Sequence, residues 1–539
     1  MTPNAFMTCL EDQDIRVTDV SYCKPYKTPY IKSKYRSIDG TSNNVKHPGW
    51  GRAGAPFSRI AAPRYSDGIY AMPLAVSGRP LPNPRTLSTQ LFADRPVASR
   101  TLSYMNMQWG QFVTHDLLSQ AMEVNDEGGI QCCYGRGRDV LPQEWQNDKC
   151  IPICIPDDDP FYRQHGVRCI NFVRSVTTPR DDCSLGYAEQ MNTVTSFLDG
   201  SPLYGSDPAL ASKLREINGG RLKEKTRPGC KRGFLPTADS KTCDLRNASD
   251  PCYLAGDRRV NQTPTLAVIH TLLLREHNRV ADILSSLNPL WTDEKIYQEA
   301  RKIVIAEIQH ITYQEWLPLN FVESSCESLD DIVRGILMQS SAESDPYCTR
   351  EITNLLFKLN NQWGMDLVAM DIQRGRDHGL ASYNDYRETC GLKRAKSFQD
   401  LTGEIPQDRI NALSQIYESV DDIDLFVGGI MEKSVKGSIL GPTFQCIVAE
   451  QFYRTRIGDR YFYDNGEMPH SFTPEQLKEI KKASMARLIC DNTDGVSYVQ
   501  RKAFEMESVH NPKYSCTDYD AIPFVDLTAW KRPILELYD

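Results

Sequence analysis

Apolar residues recur three and four positions apart along 264–287 and again along 293–317, and these two stretches predict the longest helices of the chain. Pro264 suits the first turn of the former. The same period predicts a helix over 101–122 and others near 327–340, 349–361, 380–388, 408–417, 444–455 and 473–488, the last opened by Thr473-Pro474-Glu475. Residues 22–100 read differently. They are rich in Pro, Gly, Asn and Ser, as in Pro48-Gly49-Trp50-Gly51, and predict long ordered loops. Residues 128–185, rich in Cys, Pro and Asp, predict a disulfide-stapled loop region. Few stretches alternate in the period of a strand, and no repeat is found. The expected architecture is therefore mainly α: one large domain over 22–539 with long ordered loops, few short strands and disulfides, preceded by an extension over 1–21.

The 539 residues are 40% hydrophobic, ample for a large core, and carry a net charge of −8. An acidic balance argues against nucleic acid or an anionic membrane as the main partner. No apolar run reaches the ~18 residues of a transmembrane segment; the richest, Leu266 to Leu274, is interrupted by His270. Seventeen cysteines without zinc-type spacing favour disulfides in an oxidising compartment. Sequons at Asn247 and Asn261 add weak support for a secreted, extracellular protein. Residues Met1 to Asp14 lack the basic start and apolar centre of a signal peptide, so secretion requires either an unusual route or a start upstream of Met1.

Four segments carry candidate chemistry. In Gln108-Trp109-Gly110-Gln111-Phe112-Val113-Thr114-His115-Asp116, Gln111 and His115 lie four apart and share one helix face. A helical His is usually structural. Thr195-Ser196-Phe197-Leu198-Asp199-Gly200-Ser201 offers carboxylate, hydroxyl and carbonyl oxygens at the density a hard cation such as calcium needs, although alone it reads as an Asp-Gly turn. Ala255 to Pro264 places Arg258 and Arg259 before a helix, where arginines usually form salt bridges. Met370-Asp371-Ile372-Gln373-Arg374-Gly375-Arg376-Asp377-His378-Gly379 reads most simply as a buried ion-pair knot.

In this order the four segments resemble the animal haem peroxidases, with similarity running from Tyr35-Arg36-Ser37-Ile38-Asp39-Gly40 to Trp530 and including Val420 to Gly429 and Gly441 to Cys446. Arthropod peroxinectin and chorion-type members look most similar. The resemblance implies a haem peroxidase that uses hydrogen peroxide to oxidise a small donor: a phenol, a tyrosyl side chain or a halide. It assigns His115 as the distal histidine that shuttles a proton, for which an ordinary pKa near ~6.5 is suited. It assigns Arg259 as the distal arginine and Gln111 as the distal glutamine. Asp116, Thr195, Phe197 (through its carbonyl), Asp199 and Ser201 match a calcium site. Asp371 and Arg374 match residues that support the proximal histidine. The implied disulfides are Cys150–Cys169, Cys243–Cys252, Cys390–Cys446 and Cys490–Cys516.

The chain departs from the family in two places. Thr114 and Gln262 stand where ester-forming carboxylates occur, so haem b is expected to bind non-covalently. After Tyr313-Gln314-Glu315-Trp316-Leu317-Pro318, roughly seventy family residues are missing near 319–330, including the arginine-x-glycine-histidine element that ligates iron. None of the nine histidines fits that element. The alternative reading is accordingly a catalytically impaired peroxidase-fold binding protein, or a splice or gene-model variant.

Overall fold

The computed structural model describes residues 32–95, 97–125, 128–180, 184–226, 232–239, 252–318, 329–358 and 360–532. The elements used below are α1 (Pro84–Leu91), β1 (Ala98–Ser103), α2 (Tyr104–Leu117), α3 (Pro264–Leu287), α4 (Asp293–His310), α5 (Leu329–Met338), β2 (Ser340–Ala342) and α6 (Leu367–Asp377). The molecule is helical as expected, and its described sheets are two-stranded.

Helix α3 organises the larger of two hydrophobic cores. Thr263 caps it by accepting from Leu266 N, Pro264 occupies the first turn, and Leu266, Ile269, Leu272, Leu273, Val280 and Leu284 are at most 1% exposed. It is buried nearly all round because α4, α2 and Met485–Asn492 pack on different sides of it. Each such side chain contributes ~1.5–3 kcal/mol on burial. The second core gathers Leu87 and Leu91 of α1, Val368 and Ile372 of α6, and apolar residues between Tyr383 and Met431.

The loops before α2 are ordered by buried charge. Arg85, 1% exposed, donates to Asp159, Asp366, the Thr353 carbonyl and Asn354. Arg36 forms a buried two-pronged pair with Asp459.

Several boundaries differ from the sequence reading. The 101–122 stretch begins as β1, paired with β2, and turns helical only at Tyr104 because Ser103 is extended. The 293–317 stretch ends its α-helix at His310 and continues as a wider π turn over Ile311–Trp316. Only Arg350–Thr353 is helical within 349–361, and 473–488 divides into Pro474–Ile480 and Met485–Asn492. Helices α1 and α6 were not anticipated.

The disulfide expectation needs one correction. Cys150 and Cys169 do not pair with each other. Cys132 bonds Cys150 and Cys133 bonds Cys169, because adjacent residues of the doublet face opposite sides and each meets one partner. Cys390–Cys446 and Cys490–Cys516 form as expected. Cys243 lies outside the described residues, as does Asn247. Among the described residues Cys154 and Cys348 are free thiols.

The side chain of Asn261 is already engaged. Its Oδ1 accepts from Tyr253 N at 2.9 Å and its Nδ2 donates to Tyr253 O at 2.8 Å. A glycan would have to attach at this same Nδ2, on a side chain already clamped to the backbone, so peptide mapping of protein from a glycosylating host is expected to find Asn261 unmodified.

Candidate active site

Helix α2 buries Trp109, Phe112 and Val113 in the larger core, which fixes the orientation of its polar residues. Gln111 accepts from Gln108 and donates to Gln262 Oε1 at 3.2 Å. Thr114 and Gln262 are both exposed. His115 is 6% exposed and its Nδ1 has no hydrogen-bond partner. Burial, reinforced by the charge of Arg259, pushes its pKa down to about 3. The imidazole is therefore neutral at physiological pH and a weaker base than a free histidine, which departs from the ordinary value expected from sequence.

Arg259 is held by a residue that the sequence reading passed over. Asp257 accepts from Arg259 N, Nε and Nη2 at 2.7, 2.9 and 2.6 Å. Arg259 Nη2 also donates to the carbonyls of His115 and Leu118 at the end of α2. The arginine thus lies beside His115, tied to its backbone. The available signal was the acidic residue at the start of a helical turn, where Asp257 caps Arg258–Asn261.

Asp116 and the Thr195–Ser201 loop are in direct contact. Asp116 accepts from Gly200 N at 2.9 Å, Ser201 N at 2.7 Å and Ser201 Oγ at 2.8 Å. Gly200 has a φ of +72°, a left-handed conformation that turns both amides toward this carboxylate. Asp199 Oδ1 accepts from Thr195 Oγ1 at 2.9 Å, while Oδ2 is buried without a partner. Phe197 packs its ring against Gly51. Burial and the charge of Asp199 hold Asp116 well above the carboxylate range, and burial raises Asp199 to about 6 against the pull of Arg36 and Arg301. Two buried carboxyls with an unmatched oxygen fit a cation. The shell would rest on hydroxyl and carbonyl oxygens as well, since no cluster of three His, Cys, Asp or Glu side chains suited to a metal occurs among the described residues.

A cavity of about 560 Å³ lies against the second core, which lends it Ile372 and Ile423. Leu118, Arg258 and Arg259 line it together with Asp371, Arg374 and Phe426. Arg259 lines this cavity, whereas His115 and Gln111 are not among its lining residues. Arg374 does not pair with Asp371. It donates to Val173 O, Ser175 Oγ and Asp377 Oδ2 at 2.9 Å each. Asp377, which also receives Arg174 and Ser175 N, is the centre of the charged knot. Asp371 is exposed to the cavity, yet the surrounding protein raises its pKa to about 6.

The volume and the basic walls suit a large planar ligand. Among the described residues, the walls do not supply an iron ligand. His378 is their only histidine, and its Nε2 lies 2.8 Å from Ser175 Oγ; no cysteine, methionine or tyrosine is present in them. The other eight histidines lie outside these walls, so haem iron finds no strong axial donor here among the described residues.

The fold is helical, with a cavity walled in part by Arg259 and a histidine-bearing helix tied to that arginine. The chain belongs to the animal haem peroxidase family, whose profile matches residues 35–328 and 320–504. It is 39% identical to a peroxidase of Drosophila melanogaster, over 93% of this chain and 83% of that protein, and 38% identical to the chorion peroxidase of the same fly, over 93% and 71%. The alignment to the first spans 584 positions, more than this chain contains. Among solved structures, peroxidase A from Dictyostelium discoideum superposes with a TM-score of 0.70 at 27% identity, over 88% of this chain and all of that one. Family membership implies an oxidoreductase acting on hydrogen peroxide with haem as cofactor.

Proposed function

We propose that the protein's function is peroxide-dependent oxidation of a small donor (a phenol, a tyrosyl group or a halide) and that the 539-residue chain holds only half of the machinery. The carrying observation is the cavity wall without an axial donor. Haem supplies the redox chemistry when bound. His115 would accept and return a proton, Arg259 would favour negative charge near it, and Gln111 would order water. Thr114 and Gln262 cannot form esters, so the cofactor would be non-covalent haem b. The family profile's division near residue 320 and the length of the fly alignment support an internal loss near 319–330. The Soret absorbance of the purified chain tests this reading.

Calcium would neutralise Asp116 and Asp199 and brace the helix that carries His115. A carboxyl whose pKa folding raises stabilises the native state while protonated. Without a cation, that stability is full below the ordinary value of 3.8 and is lost as pH rises through about 6. In chelator, melting temperature is therefore expected to fall across this window, with each pKa unit worth about 1.4 kcal/mol. Calcium at a hundredfold over Kd should restore about 2.7 kcal/mol near neutral pH. Calorimetric melts with and without calcium check this, and identical melts would remove calcium from the site.

Secretion is supported by the four disulfides among the described residues. No helix among those residues is long and apolar enough to cross a membrane.

A further inference from the structure

Between Cys132 and Cys169 the chain holds five cysteines and two disulfides, so one thiol is left over. It is Cys154, which is exposed. Its place is specific. Ile153–Cys154 pairs antiparallel with Cys169–Ile170, and Cys154 stands directly opposite Cys169. Ile151 N donates to Phe172 O and Ile155 N to Arg168 O, so the hydrogen-bonded pairs fall on the residues either side of Cys154. Cys154 and Cys169 are therefore a non-hydrogen-bonded pair. Side chains of such a pair share one face of the ladder. Their Cα atoms lie about 4.5 Å apart, inside the roughly 4.4–6.8 Å that a disulfide spans.

Cys169 is already bonded to Cys133, which belongs to the neighbouring hairpin of Cys133–Tyr134 with Asp139–Val140. That hairpin is held against the ladder by more than sulfur, since Gly137 O accepts from Arg168 N at 2.8 Å and from Cys169 N at 3.0 Å. Cys154 lies near the same hairpin: desolvation of its sulfur, and then the carboxylate of Asp139, raise its thiol. Cys169 thus has two cysteines in reach, one across the ladder and one across the hairpin.

We propose that Cys154 and Cys133 are alternative partners of Cys169, which makes this disulfide an exchangeable one. The Cys154 thiol gives its proton to water and its sulfur attacks Cys169 Sγ. The Cys133–Cys169 bond breaks, and Cys133 leaves as a thiolate that takes up a proton. One disulfide and one thiol are present before and after, so the step needs no oxidant or reductant. The exchange moves the thiol from an exposed position to Cys133, which is 9% exposed, and removes the covalent tie between the hairpin and the ladder. The two amide bonds to Gly137 keep Cys133 near, so the step can reverse.

The test is disulfide mapping of the full chain. Protein is held without reductant at mildly alkaline pH, quenched in acid, denatured and alkylated with N-ethylmaleimide, and its peptides are identified by mass. Two populations are expected: one alkylated at Cys154 with the Cys133–Cys169 bond, the other alkylated at Cys133 with a Cys154–Cys169 bond. Cys154→Ser removes an exposed side chain that is in no disulfide, so the variant should fold, and alkylation of Cys133 should be lost in it. Absence of the Cys154–Cys169 peptide from the unaltered chain would overturn the proposal. So would alkylation of Cys133 that persists undiminished in Cys154→Ser, since another thiol would then be the attacking group.

Discussion

Expressed with haem supplied, the 539-residue chain is expected to show a weak Soret band and little peroxide-dependent oxidation, while a longer version carrying the family's arginine-x-glycine-histidine segment between Pro318 and Asp331 is expected to show a strong band and full turnover. The reason is the bond to iron. Residues such as Arg374 and Asp371 can orient an axial ligand but cannot replace it, and changes in such supporting residues alone cost about 10–100-fold in metal affinity. Loss of the ligand itself should exceed that, so turnover should differ by on the order of 10²-fold or more. Titration of both forms with haemin, followed by oxidation of a phenol, reads out the two effects. Full occupancy and turnover from the shorter chain would mean that a ligand exists, and His378→Ala would then be the first variant to make.

Arg85→Ala is expected to destabilise the fold by about 3–5 kcal/mol, the usual result of breaking a buried ion pair from one side. Asp159 and Asp366 are at most 1% exposed at their side chains and would be left charged without their partner. Burial already lifts Asp366 above its ordinary pKa with the arginine present. The same substitution frees the end of α1 and the turn at Asn354, so the second core should open first. Urea unfolding followed by tryptophan fluorescence measures the loss, and a change below ~1 kcal/mol would show that the network is solvated in solution.

The legible parts of the fold were those where pattern and packing agree. Helix α3 announced itself because Pro264 and its apolar period coincide. Helix α6 was hidden because its inward face carries Arg376 and Asp377, both buried, so charge occupied the positions where hydrophobic residues mark a core. The charged-knot reading of that segment nonetheless agrees with its ion pairs. The pairing of Cys132 and Cys133 could not be read from spacing, since either neighbour can reach either partner. At the site, the contact between Asp116 and the 195–201 loop followed from the resemblance. The clamp on Arg259 did not, because it depends on Asp257 being two residues away in a turn rather than on a motif.

Both flanks of the shortened join rest on the same helix. On one side Trp316 Nε1 donates to Asn106 O and its ring lies against Gly110, where a Cβ would sit 3.0 Å from it. On the other side α5 packs on α2, and Tyr104 N donates to Gln339 O. On the proposed reading, the missing stretch would leave from and return to one platform. Ten residues, 319–328, now bridge the gap. Exchanging them for a stretch several times longer would add only about 2 kcal/mol of closure entropy. On the proposed reading, gain or loss of the cassette would change iron binding while sparing the helix that holds His115.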